Sequence, residues 1–299
     1  MKIDFIRNFI KLYQKKNFSE LAKELNISQS TLSHQISQIE KEIGDITLIN
    51  RTTRTFELTD EGKIFLEHAK KIIELYDSSL RKINIYRENK IGEVEIKITA
   101  STLPGSHILP KYIANFRNEN QGVQFKILIN NSLKSINLLL TNEADFAAIG
   151  SFMGYNSEDF DYVKIGEEEL VFICSPHHDL LKRGKASFSF NEILQYPLVS
   201  REKGSGTLNV IKAQFAPYDQ LKINLEINDN DSIISAVSES NNLAIMSETI
   251  ALKAQDAGLI KIIDVKEYPT IAKREIFLIK QKGQKMGKLK QKFWDYLES

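Results

Sequence analysis

Between positions 28 and 38 the chain concentrates short hydrogen-bonding side chains: Ser28, Gln29, Ser30, Thr31, Ser33, His34, Ser37 and Gln38. Leu32, Ile36, Ile39 and Ile43 recur at steps of four, three and four, which is the spacing of one helix face. Ser30, Thr31, His34, Ser37 and Gln38 take the opposite side, with Gln29 and Ser33 near the helix start. A buried helix has no use for so many donors and acceptors. A merely solvated face would carry Lys and Glu, as this one does later at Glu40, Lys41 and Glu42. Amides and hydroxyls at a helix N-terminus suit the reading of base edges in a DNA major groove, where Gln pairs with adenine and Ser or Thr with several bases. A plain bundle helix is the alternative.

A second constellation lies in three loops that follow strand-like segments: Ser101-Thr102-Leu103-Pro104-Gly105-Ser106, Gly150-Ser151, and Ser200-Arg201-Glu202-Lys203-Gly204-Ser205-Gly206-Thr207. The first and third open helices, where free backbone N–H groups and hydroxyls favour an anion. Ser101, Thr102, Gly150, Ser151, Ser205, Gly206 and Thr207 are therefore candidate contacts for a small anionic effector, with helix capping alone as the competing reading. Other reactive side chains read as structural. His177 and His178 suggest a surface loop, because adjacent histidines rarely face one ligand sphere. Cys174 ends an apolar strand and reads as a small buried side chain. Glu167-Glu168-Glu169 reads as a solvated turn, and the basic stretch 280–292 as the start of an amphipathic closing helix. No metal or cofactor is expected. No phosphate-binding glycine fingerprint, nucleophile elbow or metal-ligand spacing is present, so catalysis is not expected.

These groups need elements to hold them. Ile3, Phe5, Ile6, Phe9, Ile10 and Tyr13 give a first amphipathic helix; Ser19 is a candidate cap for a second, with Leu21, Ala22 and Leu25 inward. Asn26 suits a left-handed turn, and Ser28 suits the cap of the helix at 29–43. Residues 46–49 and 55–58 read as two short strands, a wing whose tip offers Arg51 and Arg54 to phosphates or a narrow minor groove. From Thr59 to Glu88 runs one long helix, striped by Ile72, Leu75, Tyr76, Leu80, Ile83 and Tyr86; the stripe suits a two-chain seam or packing within its own domain. Beyond it, strands alternate with helices, which argues for open parallel-type sheets in two α/β lobes with a cleft between them.

The chain has 299 residues, 42% hydrophobic and 26% charged, which is the composition of a folded protein with room for two or three domains. Charges interrupt every apolar stretch near the N-terminus, and no run approaches a membrane span, so a cytoplasmic protein with no membrane partner is expected. The net charge of +1 does not by itself advertise nucleic acid.

Phe18-Ser19-Glu20-Leu21-Ala22, Ser28 through Ile36, Ile39-Glu40-Lys41-Glu42-Ile43-Gly44, Leu48-Ile49-Asn50-Arg51 and Leu58-Thr59-Asp60-Glu61-Gly62 together resemble the LysR-type transcriptional regulators. The resemblance implies a winged helix-turn-helix over 1–58, a dimerising linker helix over 59–88, and an effector domain over 89–299 similar to periplasmic binding proteins, its lobes near 91–165 plus 268–299 and near 166–267. It implies base contact from Gln29, Ser30, Ser33 and His34 and backbone contact from the wing. It further implies a homodimer or homotetramer on an interrupted inverted repeat, with RNA polymerase among the admissible partners. The stretch Arg201 to Thr207 is similar to regulators of sulfur or selenium metabolism and of carbon fixation. Two departures stand out: many relatives have Pro where this chain has Ser30, and Arg where it has His34. An enzyme with a DNA-binding appendage would reveal itself by turnover of a bound metabolite. A transport-type binding protein would have a signal peptide and lack the helix-turn-helix.

Overall fold

The computed structural model describes residues 1–51, 56–91 and 94–298, in two compact units, Met1–Arg87 and Glu88–Ser299. The first unit begins with α1 (Ile3–Lys15), α2 (Phe18–Glu24) and α3 (Gln29–Glu42). Ile6, Phe9 and Leu12 are buried at every third residue of α1, and Phe9 and Leu12 meet Leu21 and Ala22 of α2 and Leu32, Ile36 and Ile39 of α3 in one core. Asn17, not Ser19, caps α2: its Oδ1 accepts from the N–H groups of Ser19 and Glu20 at 2.9 and 3.1 Å. The cap precedes the first helical residue, which places it one position before Phe18. Asn26 adopts the expected left-handed backbone, φ 54°, before α3.

The hairpin is shorter than its sequence suggests, with β1 (Ile49–Arg51) antiparallel to β2 (Phe56–Leu58). Residues 46–48 run outside the ladder, and Leu48 is fully buried. Next comes α4 (Asp60–Ile91), a helix of 32 residues. Thr59 caps it, Oγ1 accepting from the Gly62 N–H at 2.9 Å. Gly62 is required by close approach: a Cβ there would lie 2.1 Å from the Leu48 carbonyl oxygen.

The second unit holds β3 (Val94–Ser101), α5 (Leu109–Glu119), β4 (Val123–Asn130), α6 (Ser132–Leu140), β5 (Phe146–Ile149), β6 (Phe160–Cys174), β7 (Ser187–Phe188), α7 (Phe190–Ile193), β8 (Pro197–Arg201), α8 (Gly206–Gln214), β9 (Lys222–Ile227), α9 (Asn230–Ser238), β10 (Leu243–Ser247), α10 (Glu248–Asp256), β11 (Lys261–Val265), β12 (Ala272–Gln281) and α11 (Lys288–Glu298). The sheet runs β4-β3-β5-β12-β6-β10-β8-β9, with β11 and β7 branching from β6.

This is a mixed sheet rather than the open parallel type expected from the alternation. The strands β4, β3 and β5 are mutually parallel, as are β10, β8 and β9. Two long strands, β6 and β12, join the groups and pair antiparallel along almost their whole length. Their register shifts near Ile276, opposite Gly166. The run Glu167-Glu168-Glu169 is thus strand, not turn. Alternation along β6 turns Glu168 inward while Glu167 faces solvent. α11 closes the unit by burying Phe293, Trp294 and Leu297, with Trp294 stacked on Phe146 at 5.9 Å. Lys280 belongs to β12 rather than to that helix, its Nζ over the Trp294 ring.

His177 is exposed in the turn after β6, as the surface-loop reading expects, but His178 departs from it. His178 is fully buried: Nδ1 accepts from the Leu180 N–H, which leaves Nε2–H to donate to the Asn241 carbonyl. A neutral ring with both nitrogens satisfied needs no metal. Cys174 is buried as expected, and burial pushes its thiol pKa up to about 12. No helix among the described residues is long and apolar enough to cross a membrane.

Candidate functional sites: an exposed helix start and a buried polar cleft

Ser28 opens α3, its Oγ accepting from the Thr31 N–H at 3.0 Å while contacting the hydroxyls of Ser30 and Thr31 at 2.8 and 2.7 Å. A local network thus satisfies the helix start and stiffens it. Ser28, Gln29, Ser30, Thr31 and His34 are exposed; Ser33 and Gln38 are half-buried. Gln29 Oε1 accepts from Ser19 Oγ at 3.1 Å, which ties the end of the amide to α2 and limits its rotamers. Behind this face, Gln35 Oε1 accepts from Asn8 at 2.7 Å, so α1 and α3 are joined by a polar contact as well as by their core. Arg51 ends β1, paired in register with Phe56; Arg54 lies outside the described residues.

Along α4 the apolar stripe is solvent-exposed: Leu75 is 71% and Ile83 55% accessible, and Ile72, Tyr76, Leu80 and Tyr86 are exposed too. Arg7 of α1 pairs with Asp77 of α4.

In the second unit, parallel strands end together. Ser101 ends β3, Arg201 ends β8 and Ser247 ends β10, while α6, α8, α9 and α10 all begin nearby. The resulting cleft is lined by Ser101, Thr102, Asn131, Arg201, Ser205, Gly206, Thr207, Asn230, Ser247 and Arg274, with Leu103 and Ile250 its apolar members. Its enclosed volume is about 10 Å³, close to the space of one water molecule. Helix starts carry unpaired N–H groups and partial positive charge, so this geometry favours an anion.

The side chains add to that field. Arg201 is buried and held by Glu202, by Asn230 Oδ1 at 3.0 Å and by the Asn228 carbonyl at 3.2 Å. Arg274 pairs with Glu168, both almost wholly buried. Burial draws the Arg274 pKa down, Glu168 draws it back up, and the like charge of Arg201 lowers it again. Meanwhile the hydroxyls of Ser101, Ser132 and Ser247 are buried without a hydrogen-bond partner. Such groups cost about 1–3 kcal/mol each when left unmade.

Of the candidates read from sequence, Ser101, Thr102, Ser205, Gly206 and Thr207 come together in this cleft. Gly150 lines a larger cavity of about 630 Å³ that also meets Arg274. Ser151 Oγ instead accepts from the Met153 N–H at 3.2 Å and is not among the lining residues. Sequence reasoning passed over Arg274, Ser132, Ser247, Asn131 and Asn230. Arg201 sat inside a motif that was noticed, but its burial was not visible there. Nothing local marks Arg274, which stands between the charged Lys273 and Glu275 in β12.

Comparison with known proteins bears on both units. Residues 3–63 match the family described as bacterial regulatory helix-turn-helix protein, lysR family, and residues 92–299 match the LysR substrate binding domain. An uncharacterized HTH-type transcriptional regulator of Methanocaldococcus jannaschii is 35% identical over 300 residues, covering 99% of this chain and 98% of the relative. Among solved structures, full-length CbnR complexed with its target DNA matches with a TM-score of 0.55 at 20% identity, covering 99% of both chains. The effector-binding domain of QuiR in complex with shikimate gives 0.60 at 20% identity, covering 69% of this chain and 95% of that one. With an exposed recognition-type helix, a long connecting helix and a polar cleft between strand ends, the chain belongs to the LysR family of DNA-binding transcriptional regulators and carries that family's effector-binding domain.

Proposed function

We propose that this regulator reads an interrupted inverted repeat as a dimer and that a small anion in the cleft changes the complex it forms with DNA. Base contact falls to Gln29, Ser30, Thr31, Ser33, His34 and Gln38, with Ser28 holding the helix start and Arg51 and Arg54 supplying backbone affinity. The side chain at 34 offers no guanidinium, so a bidentate contact to guanine is absent there. The exposed stripe of α4 is the seam between two copies, because an apolar face of that extent is seldom left to water. Ile83→Asp places a charge in it and lowers the mass seen by light scattering; an unchanged mass removes the seam.

One observation carries the effector half of the reading: three buried, unpartnered hydroxyls stand beside two guanidiniums at the starts of four helices. Ser101, Thr102, Ser205, Gly206 and Thr207 are its contacts, with Gly150 and Ser151 at its border. The solved relative holding shikimate, a carboxylate, is consistent with an acidic ligand. The protein works in the cytoplasm, as a ligand-gated switch rather than an enzyme, and transcription brings it against RNA polymerase. A ligand moves such a switch only by binding one arrangement better than the other, typically by about 1–3 kcal/mol.

The test titrates sulfate, thiosulfate, selenite and small carboxylates while thermal stability and the DNA footprint are followed. At least one anion is expected to raise Tm and alter the footprint, and Thr102→Ala to weaken both responses. A full response in both Thr102→Ala and Ser205→Ala moves the ligand elsewhere.

A further inference from the structure

Arg274 is the third residue of β12, directly opposite Glu168 where that strand pairs antiparallel with β6 between the two groups of parallel strands. Its Nε and Nη2 both turn to Oε1 of Glu168. The Arg274 side chain is 6% exposed and that of Glu168 1%. A single carboxylate oxygen uses little of a guanidinium, which offers five N–H donors in a planar fork. Nη1 takes no part in the pair. Around it the backbone has been cleared: a Cβ on Gly150 would lie 2.8 Å from Cζ and Nη1, and a Cβ on Gly206 would lie 3.4 Å from Nη1. These glycines come from different groups of strands, one after β5 and one at the start of α8. Neither has a positive φ, so backbone freedom does not account for them. Room for the guanidinium does at Gly150, while at Gly206 Ser132 Oγ would lie nearer still to such a Cβ than Nη1 does.

We propose that Arg274 is the charged anchor of the cleft. It binds through the edge bearing Nη1 and takes a group with two oxygens on one centre, a carboxylate, phosphoryl or sulfuryl oxyanion. Glu168 holds the opposite edge and so fixes the fork's direction. This rests on the cleft being the effector site and adds the class of ligand group and the residue that selects it. Arg274 lines the cleft together with Ser101 and Ser247, whose unpartnered hydroxyls supply further donors to the same group. A neutral polyol would satisfy the hydroxyls but leave the free edge of the guanidinium bare, so the site favours an anion over a neutral ligand of the same size.

The full chain tests this with sulfate, inorganic phosphate and glycolate against the neutral probes glycerol and ethylene glycol, by calorimetry and thermal shift. Wild type is expected to bind at least one anion and to ignore the neutral probes. Gly150→Ala changes no charge but pushes the guanidinium aside, and is expected to weaken the anion at least tenfold. Arg274→Lys keeps the charge without the fork and is expected to recover part of the affinity lost in Arg274→Gln. The paired change Glu168→Gln with Arg274→Gln leaves two amides and no unpartnered charge at this pair; it is expected to fold and to lose the preference for anions over neutral probes, a readout that a purely structural role would leave intact. If Gly150→Ala and the paired variant bind the anion like wild type while Thr102→Ala is weakened, the cleft stands and Arg274 is not its anchor. If no anion in the panel binds wild type, both readings fall.

Discussion

On α3, Gln29, Ser30, Thr31 and His34 stand exposed within two turns of one helix, over a core that closes beneath them. In the second unit, Ser101, Ser132, Arg201, Ser247 and Arg274 are buried and come from the ends or middles of five different elements. In the proposed function the first arrangement reads a surface that is already shaped, so its side chains would contribute to binding and little to folding. The second builds its polar groups into the core, where each unmade hydrogen bond weakens the fold and, on our proposal, is made when a ligand binds. A reader of DNA is expected to be rigid before it binds. A sensor has to leave something for its ligand to complete.

That contrast breaks first at Arg274. Arg274→Gln leaves the Glu168 carboxylate buried without its partner, which costs about 3–5 kcal/mol. Urea denaturation should show the loss in the transition of the second unit, with most of it recovered when Glu168→Gln is added. A loss below about 1 kcal/mol would mean that water reaches the pair and that the cleft is not a built core.

Gln29→Ala sharpens the other side. It should cost about 1–3 kcal/mol on the cognate operator and little on random DNA, while stability stays within about 0.5 kcal/mol. Competition binding beside a melting curve separates the two. Equal loss on both DNAs would turn Gln29 into a backbone contact and leave base reading to His34 and Ser33.

The smallest effect expected is a pH dependence confined to the second unit. Burial holds the His178 pKa below its ordinary value of 6.5, against the opposing pull of the Asn241 carbonyl and Asp179. Below that value the unfolded chain takes up a proton that the folded chain refuses. The unfolded state then binds more protons, so stability falls as pH drops through 6.5 toward the depressed folded value and is fully present above it. His178→Asn should flatten this slope between pH 7 and 5; an unchanged slope would assign it to carboxylates elsewhere.

The amino-acid sequence by itself determined the first unit almost to the residue. Apolar steps of three and four, an Asn at a left-handed turn and a Ser cap are local signals, and each acts within a few positions of the group it places. The cap of α2 lies two positions before Ser19, where neighbouring polar residues compete for the same role, and β1 starts three positions after Ile46, sharing only Ile49 with the strand expected. The start of the linker helix was local as well, with Thr59 closing on Gly62 three positions later.

The second unit was legible as alternating strand and helix and as small polar loops at strand ends, which brought Ser101, Thr102 and Ser205 to Thr207 forward. What tertiary structure alone decided was which of them meet, and on what. Glu168 is the middle of three acidic residues, and only its pairing with Arg274 across the β6–β12 ladder tells it from its neighbours. A strand's alternation puts the middle residue on the opposite face from its two neighbours, but which face becomes interior depends on partners more than a hundred positions away (|i−j| = 106). The long-range ladder decides which charges lose water, and the loss of water gives Arg274 its place in the cleft.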